Sequence, residues 1–129
     1  MANGCFDPLE VHHTHVLREG SSLGKIVVAL NSDHYIRRTK QREPRRNFME
    51  RSLSLLAVHG VVAVIGFNED TPEELFSRLN PAFVLRGGQK ENDETVHNVG
   101  GCPVITVPVL LDDSCIPLSS TWLHERTYG

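Results

Sequence analysis

Apolar residues in this chain come as short unbroken runs separated by polar stretches, not in strict alternation. Lys25-Ile26-Val27-Val28-Ala29-Leu30 runs into Asn31-Ser32-Asp33, and Val61-Val62-Ala63-Val64-Ile65-Gly66-Phe67 has the same character. Runs of that length predict strands buried on both faces. Ala82-Phe83-Val84-Leu85 predicts a shorter third strand ending at Arg86-Gly87-Gly88, and Val104-Ile105-Thr106-Val107-Pro108-Val109-Leu110 a fourth. Pro108 has no backbone donor, so that strand lies at a sheet edge or stops there. Helices fit between the strands. Asn47 with Glu50 reads as a capping box, followed by Leu53, Leu55, Leu56 and Val58 and closed by Gly60. Thr71 reads as a second N-cap, with Pro72 in the first turn, Glu74 reaching back and Leu75, Phe76 and Leu79 as the apolar stripe. Strand alternating with helix predicts an α/β fold, a parallel sheet with helices on both faces. Ligands in such folds bind beyond the carboxyl ends of the strands. Gly4-Cys5-Phe6-Asp7, Asn31-Ser32-Asp33 and Arg86-Gly87-Gly88 fall there. Residues 89–101 are polar and read as a loop or short helix. With no internal repeat, linker or low-complexity tract, residues 1–129 form one domain.

Composition narrows the partners. A net charge of −3 leaves no global basic field for nucleic acid or an anionic membrane. The basic stretch Arg37, Arg38, Lys40, Arg42, Arg45 and Arg46 is local, and by composition alone it is a solvated loop. No apolar run approaches the roughly 20 residues that cross a bilayer. Residues 1–15 are polar and histidine-rich, unlike a signal peptide. The three cysteines, Cys5, Cys102 and Cys115, show no paired spacing, which favours a reduced, cytoplasmic setting.

The candidate chemistry lies at the two ends of the chain. Asn3-Gly4-Cys5-Phe6-Asp7 is a small-residue turn, His12-His13-Thr14-His15 comes next at the start of a helix, and Ser119-Ser120-Thr121 caps a last helix. Backbone N–H groups at helix starts, imidazoles and hydroxyls together suit a polyphosphate and point to nucleotidyl transfer. Each piece has a plainer reading. Asn3-Gly4 is an ordinary turn by itself, and the histidines could hold a transition metal, although they lack tetrahedral ligand spacing. Cys5 reads as a small buried residue, not a nucleophile. Asp33 either binds acceptor hydroxyls or caps the next helix, and Trp122 packs.

On these residues the chain resembles the cytidylyltransferase-like nucleotidyltransferases, and within them most of all the adenylyltransferases that activate heptose phosphate. Gly4-Cys5-Phe6-Asp7 is similar to the family's first motif. Asn31-Ser32-Asp33 is similar to the end of its second strand, and Arg37-Arg38-Thr39-Lys40 to the segment after that strand. Arg51 stands where the family has a helix arginine. Glu69-Asp70-Thr71-Pro72 with Arg86-Gly87-Gly88 resembles the heptose branch, and Ser119-Ser120-Thr121 the terminal phosphate motif. The resemblance covers nearly the whole chain. It departs at the His-x-x-His pair. Aligned without gaps, Glu10 takes the first histidine's place, His12 the glycine's and His13 the second histidine's. A two-residue slip would pair His12 with His15 instead. The family also has an apolar central strand before the first motif, where only Met1 and Ala2 stand here, so that strand is expected to be truncated, or its place filled by another segment or subunit. Gln89-Lys90 replaces the Asp-aromatic pair usual after the glycines.

The resemblance implies a Rossmann-like sheet and a reaction in which a sugar phosphate attacks a nucleoside triphosphate, ATP by preference, with Mg2+ and release of pyrophosphate. It assigns His13, His12 and Lys40 to catalysis. Gly4, Cys5, Phe6, Asp7, Arg51, Arg86, Gly87, Gly88, Ser119, Ser120 and Thr121 go to the nucleotide, Lys40 and Arg51 by neutralising phosphate charge. Asn31 and Asp33 go to the acceptor. His13 would add an imidazole donor to the triphosphate, and because imidazole titrates near neutral pH it can be protonated when phosphate arrives. No protein-bound metal set, nucleic acid or membrane is implied, and a homodimer is. Two alternatives stay open: a glycerol-3-phosphate cytidylyltransferase-like enzyme using CTP and a polyol phosphate, and a degenerate nucleotide-binding protein without catalysis.

Overall fold

The fold is built around a deeply buried strand. In the computed structural model, which describes residues 1–88, 98–99 and 102–108, strand β2 (Ile26–Asn31) holds Ile26, Val28, Ala29 and Leu30 at 0% exposure. It pairs in parallel with β1 (Ala2–Gly4) on one side and β3 (Val61–Phe67) on the other. A second set, β4 (Val84–Gly88), β5 (Asn98–Val99) and β6 (Cys102–Pro108), runs in the order β4-β6-β5. The two sets meet at Met1, whose carbonyl accepts from Leu85 N–H at 2.7 Å and whose ammonium donates to the Phe83 carbonyl at 2.9 Å. Among the described residues, residues 1–4 therefore lie directly between β2 and β4. The strand is short but not missing.

Helix α1 (Val11–Ser21) and α3 (Phe48–Leu56) cover one face, where Val16, Leu17 and Leu55 pack with Val28, Leu30 and Leu85. Helix α4 (Glu73–Leu79) covers the other, where Phe76 meets Met1, Ala29, Phe67 and Val84. Contact between α1 and β4 is close enough to require glycine. A Cβ on Gly20 would overlap Leu85 Cδ2, and one on Gly87 would lie 3.0 Å from Val16 Cγ2.

The Asn47–Glu50 capping box forms as expected, with Glu50 N–H on Asn47 Oδ1 at 2.9 Å and Asn47 N–H on Glu50 Oε1 at 3.2 Å. Gly60, at φ 91°, makes the turn into β3. Pro108 is the last described residue of β6, which lies between β4 and β5 and not at a sheet edge.

Four expectations change. Thr71 does not cap: α4 begins at Glu73 after Pro72, and no side chain caps it. The third strand starts later and contains Arg86, Gly87 and Gly88 instead of ending before them. Residues 98–99, expected in a loop or short helix, pair antiparallel with β6. The basic stretch is not simply a solvated loop, because helix α2 (Asp33–Lys40) runs through its first part. Ser32 caps α2, its Oγ accepting from Tyr35 N–H at 3.0 Å. Only Ile36 of α2 is buried, too few apolar positions for a helical period to show in sequence. Among the described residues no helix is long and apolar enough to cross a membrane.

Candidate active site

The turn after β1 is tied down from three directions. Phe6 adopts φ 46°, a left-handed conformation uncommon for a bulky residue. Its ring lies 3.2 Å from where a Gly4 Cβ would be and edge-on to His13, with centroids 5.0 Å apart. Asp7, with its carboxylate 1% exposed, accepts from Arg42 Nη1 at 2.7 Å, Arg45 N–H at 2.8 Å and Arg46 N–H at 2.8 Å. Burial works against the Asp7 charge, but Arg42 and the two backbone N–H groups outweigh it and hold the carboxyl below its ordinary range.

Arg51 sits beneath the same turn, its side chain 0% exposed. Nε donates to the Arg46 carbonyl at 2.9 Å, Nη1 to the carbonyls of Cys5 at 2.9 Å and Asn31 at 2.8 Å, and Nη2 to Asp33 Oδ1 at 2.6 Å. Asp33 Oδ2 accepts from Phe48 N–H at 3.3 Å. One guanidinium thus joins the turn, the end of β2 and the start of α3. The phosphate contact implied for Arg51 is not offered by this arrangement, since every nitrogen of the fork points inward. Asp33 neither caps α2 nor opens to a ligand with both oxygens free.

The folded protein predicts a measurable acid sensitivity here. Because Asp7's folded pKa is depressed, its contribution is present above the usual carboxylate pKa and lost as pH falls through the folded value. Asp7→Asn is expected to cost about 2 kcal/mol or more at neutral pH, because an amide nitrogen would face Arg42 or a backbone donor. Urea unfolding at pH 7 and pH 3 checks this. Equal stability loss at both pH values would sink the charged clamp.

The first turn of α1 supplies the imidazoles. Glu10 precedes the helix, and its backbone N–H donates to His13 Nδ1 at 2.9 Å. An N–H can only donate, so Nδ1 is the acceptor and the neutral ring carries its proton on Nε2. Burial, assisted by neighbouring His12, pushes His13 down to about 4. Before any phosphate arrives the ring is therefore a neutral Nε2–H donor at neutral pH. His12 is lowered too, by burial and against the Glu10 charge, and its ring lies 3.9 Å from that of His13 at 44°. Both histidines line a cavity of about 330 Å³ with Asn3, Phe6, Arg86 and Gly87, walled by Ala2, Val16, Leu17 and Leu85. His15 faces elsewhere, into a separate recess with Thr14, Arg18 and His59. The slipped pairing would need His12 and His15 to converge, and they do not.

Gly4, Cys5, Phe6 and Asp7, His12 and His13, and Arg86 and Gly87 are thus brought to one end of the sheet. Cys5 Sγ lies 3.7 Å from Asn31 Oδ1, and burial raises its pKa against the opposing charges of Lys40 and Arg51, which works against the thiolate a nucleophile needs. Asn31 is buried and engaged through both its carbonyl and its side chain. Lys40 is exposed at the end of α2. Gly88 sits against Thr106, whose Cγ2 would lie 2.9 Å from an added Cβ. Ser119, Ser120 and Thr121 lie outside the described residues. Sequence reasoning missed Arg42 and the Arg45 and Arg46 backbone as the Asp7 clamp, a contact across more than thirty positions that carries no local signal.

Comparison with known proteins agrees with this geometry. The cytidylyltransferase-like family profile matches residues 1–126. The bifunctional protein HldE of Coxiella burnetii (strain Dugway 5J108-111) is 33% identical over 117 residues, covering 84% of this chain and 24% of that protein. The HldE of Aliivibrio salmonicida (strain LFI1238) is 35% identical over 136 aligned positions, covering 100% of this chain and 27% of its own length. The chain spans about a quarter of the length of these curated relatives. The crystal structure of the lipopolysaccharide core biosynthesis protein from Thermoplasma volcanium GSS1 shares the fold, with a TM-score of 0.66 at 24% identity over 88% of this chain and 96% of that one. With the profile reaching across nearly the whole sequence and the Gly4–Asp7 turn built at the carboxyl end of a central strand, the chain belongs to the cytidylyltransferase-like nucleotidyltransferases.

Proposed function

We propose that this chain joins a nucleoside triphosphate, ATP by preference, to a sugar phosphate. A phosphate oxygen of the acceptor attacks the α-phosphorus, the bond from that phosphorus to the bridging oxygen breaks, and pyrophosphate leaves. The observation that carries the reading is His13, whose Nδ1 is fixed by Glu10 so that Nε2–H is the donor it keeps for a ligand in the cavity. Such transfer needs no protein nucleophile, only positioned donors and charge, which fits a protonated Cys5. Lys40, exposed beside the turn, supplies a cation, and by resemblance Ser119, Ser120 and Thr121 bind phosphate oxygens. Similarity to the HldE proteins favours a sugar-phosphate acceptor.

The carboxylates bear on Mg2+. Asp7 and Asp33 are taken by arginines and backbone N–H groups, and Glu10 at the start of α1 shares a capping box with His13, so a metal arriving with the triphosphate would have to draw the Glu10 carboxylate away from the His13 backbone N–H. Bound to that carboxylate, Mg2+ would screen phosphate charge and so offset the repulsion between Glu10 and the triphosphate. A CTP-dependent transfer to glycerol phosphate is the second enzymatic reading, and a nucleotide-binding protein without catalysis the third, favoured by Glu10 and His12.

Calorimetric titration with ATP and with CTP, each with Mg2+, separates these readings when pyrophosphate release is followed alongside using heptose phosphate and glycerol phosphate. Binding of one nucleotide with release is expected. Binding without release points to Glu10 having disabled the phosphate site, and Glu10→His is then expected to raise the rate by about a hundredfold. A folded sample that binds neither nucleotide overturns the proposal.

A further inference from the structure

His15, Arg18 and His59 line a recess that the catalytic reading leaves unused. It encloses about 440 Å³, with Thr14, His15 and Arg18 of α1 on one side and Ala57, Val58 and His59, at and beyond the end of α3, on the other. The helical period puts it there. With Val16, Leu17 and Gly20 turned into the core, Val11, Thr14, His15 and Arg18 share the opposite face of α1. The donors are unspent. Among the described residues neither imidazole nor the Arg18 guanidinium has a hydrogen-bond or ion-pair partner. Thr14 differs, since its Oγ1 already donates to the Val11 carbonyl at 2.8 Å. The lining includes no Asp or Glu.

Two plainer uses of these side chains fail on their surroundings. A transition metal needs more ligands, and among the described residues no three His, Cys, Asp or Glu side chains converge. The guanidinium would also repel a cation. Capping of α3 would need donation to the carbonyls at its end. Those of Leu53, Leu55 and Val58 instead accept backbone N–H from Ala57, Val58 and Val61 at 3.0–3.2 Å, and neither Arg18 nor His59 donates there. The negative pole of α3 opposes an anion, but it amounts to about half a charge, against a full charge on Arg18 and two imidazole donors.

We propose that this recess binds a phosphate group, on the free ion or on a small organic ester. Arg18 gives its planar fork and His15 and His59 one N–H each. Separate donors arriving from two elements match a tetrahedral anion with several acceptor oxygens better than a carboxylate with two. The apolar atoms of Val11, Ala57 and Val58 would meet the carbon body of an ester. Helix α1 then serves two sites, presenting His13 to the catalytic cavity and His15 with Arg18 to the second anion.

The test follows the backbone and imidazole resonances of the full chain while sodium phosphate replaces sodium chloride at constant pH and ionic strength. A second titration uses glycerol 3-phosphate. Saturable shifts centred on His15, Ala57 and His59 are expected. Ala57 and His59 are the reporters, because they lie off α1 and do not register a ligand held only at His13. Arg18→Gln is expected to weaken phosphate binding roughly tenfold or more, and His59→Gln by less. Both side chains are exposed, so neither change endangers the fold. Tighter binding of the ester names an organic phosphate as the ligand, equal or weaker binding names the free ion, and either upholds the site. Shifts that never saturate, or an affinity unchanged in Arg18→Gln, mean an adventitious ion only and overturn the proposal. Shifts confined to Gly4–Asp7 and His13 overturn it as well, since the phosphate then sits in the catalytic cavity. Nucleotide binding is not needed for this result, so failure of the nucleotidyl-transfer reading leaves it standing.

Discussion

Arg51→Ala is expected to lower the thermal midpoint of this chain by roughly 10–20 °C, the largest stability change of any single substitution near the site. The magnitude comes from the groups that would be left behind. Arg51's side chain is 0% exposed and answers three backbone carbonyls and the Asp33 carboxylate. Removing the guanidinium strands a partly buried carboxylate and two or more carbonyls that water reaches poorly, a loss of about 3–5 kcal/mol. Arg51→Lys keeps the charge but not the planar fork, so it cannot serve Arg46, Cys5, Asn31 and Asp33 together and is expected to recover less than half of the loss. Thermal and urea unfolding, with circular dichroism to establish that the variants fold, make the measurement. A midpoint within about 3 °C of the wild type for Arg51→Ala would show that the network contributes almost nothing net.

The same residue shows where sequence legibility ends. The strands at Ile26–Asn31 and Val61–Phe67 and the Asn47 capping box are readable because each is a local pattern: an apolar run, or a cap three residues from its partner. The parallel arrangement and the gathering of Gly4–Asp7, His13 and Gly87 at one end come from strand order, which the alternation implies. The inward turn of Arg51 does not, because an arginine on a helix looks the same in sequence whether it meets phosphate or backbone. Only the fold reveals that the ends of β1 and β2 present carbonyls to it. Asp7 is a parallel case, its carboxylate consumed by a loop more than thirty residues away. Helix α2 is hidden for a different reason, since one buried residue, Ile36, makes no period. Thr71 shows the reverse failure: a sound capping signature one residue too early, with Pro72 at the boundary instead.

His13→Ala is expected to lower kcat by about 10²–10³ with a smaller change in KM, the usual loss on removal of one preorganised donor at a developing charge. The donor is the neutral Nε2–H. Glu10's backbone holds Nδ1, and burial with His12 alongside keeps the ring near a pKa of about 4. Two consequences separate this from an imidazolium mechanism. First, kcat/KM, which reports the free enzyme, is expected to show no limb near pH 6.5, because the ring does not titrate there before nucleotide binds. Second, a depressed folded pKa means the unfolded chain binds the proton more readily, so the stabilising contribution is whole above the unfolded value near 6.5 and declines as pH falls from there towards 4. His13→Ala should remove that part of the acid sensitivity. His13→Gln offers an amide N–H in the region of Nε2 and is expected to retain more activity than alanine at every pH. A limb in wild-type kcat/KM near pH 6.5 that vanishes in His13→Ala would show that the charged ring does the work, and that the Glu10 hydrogen bond gives way when the triphosphate enters.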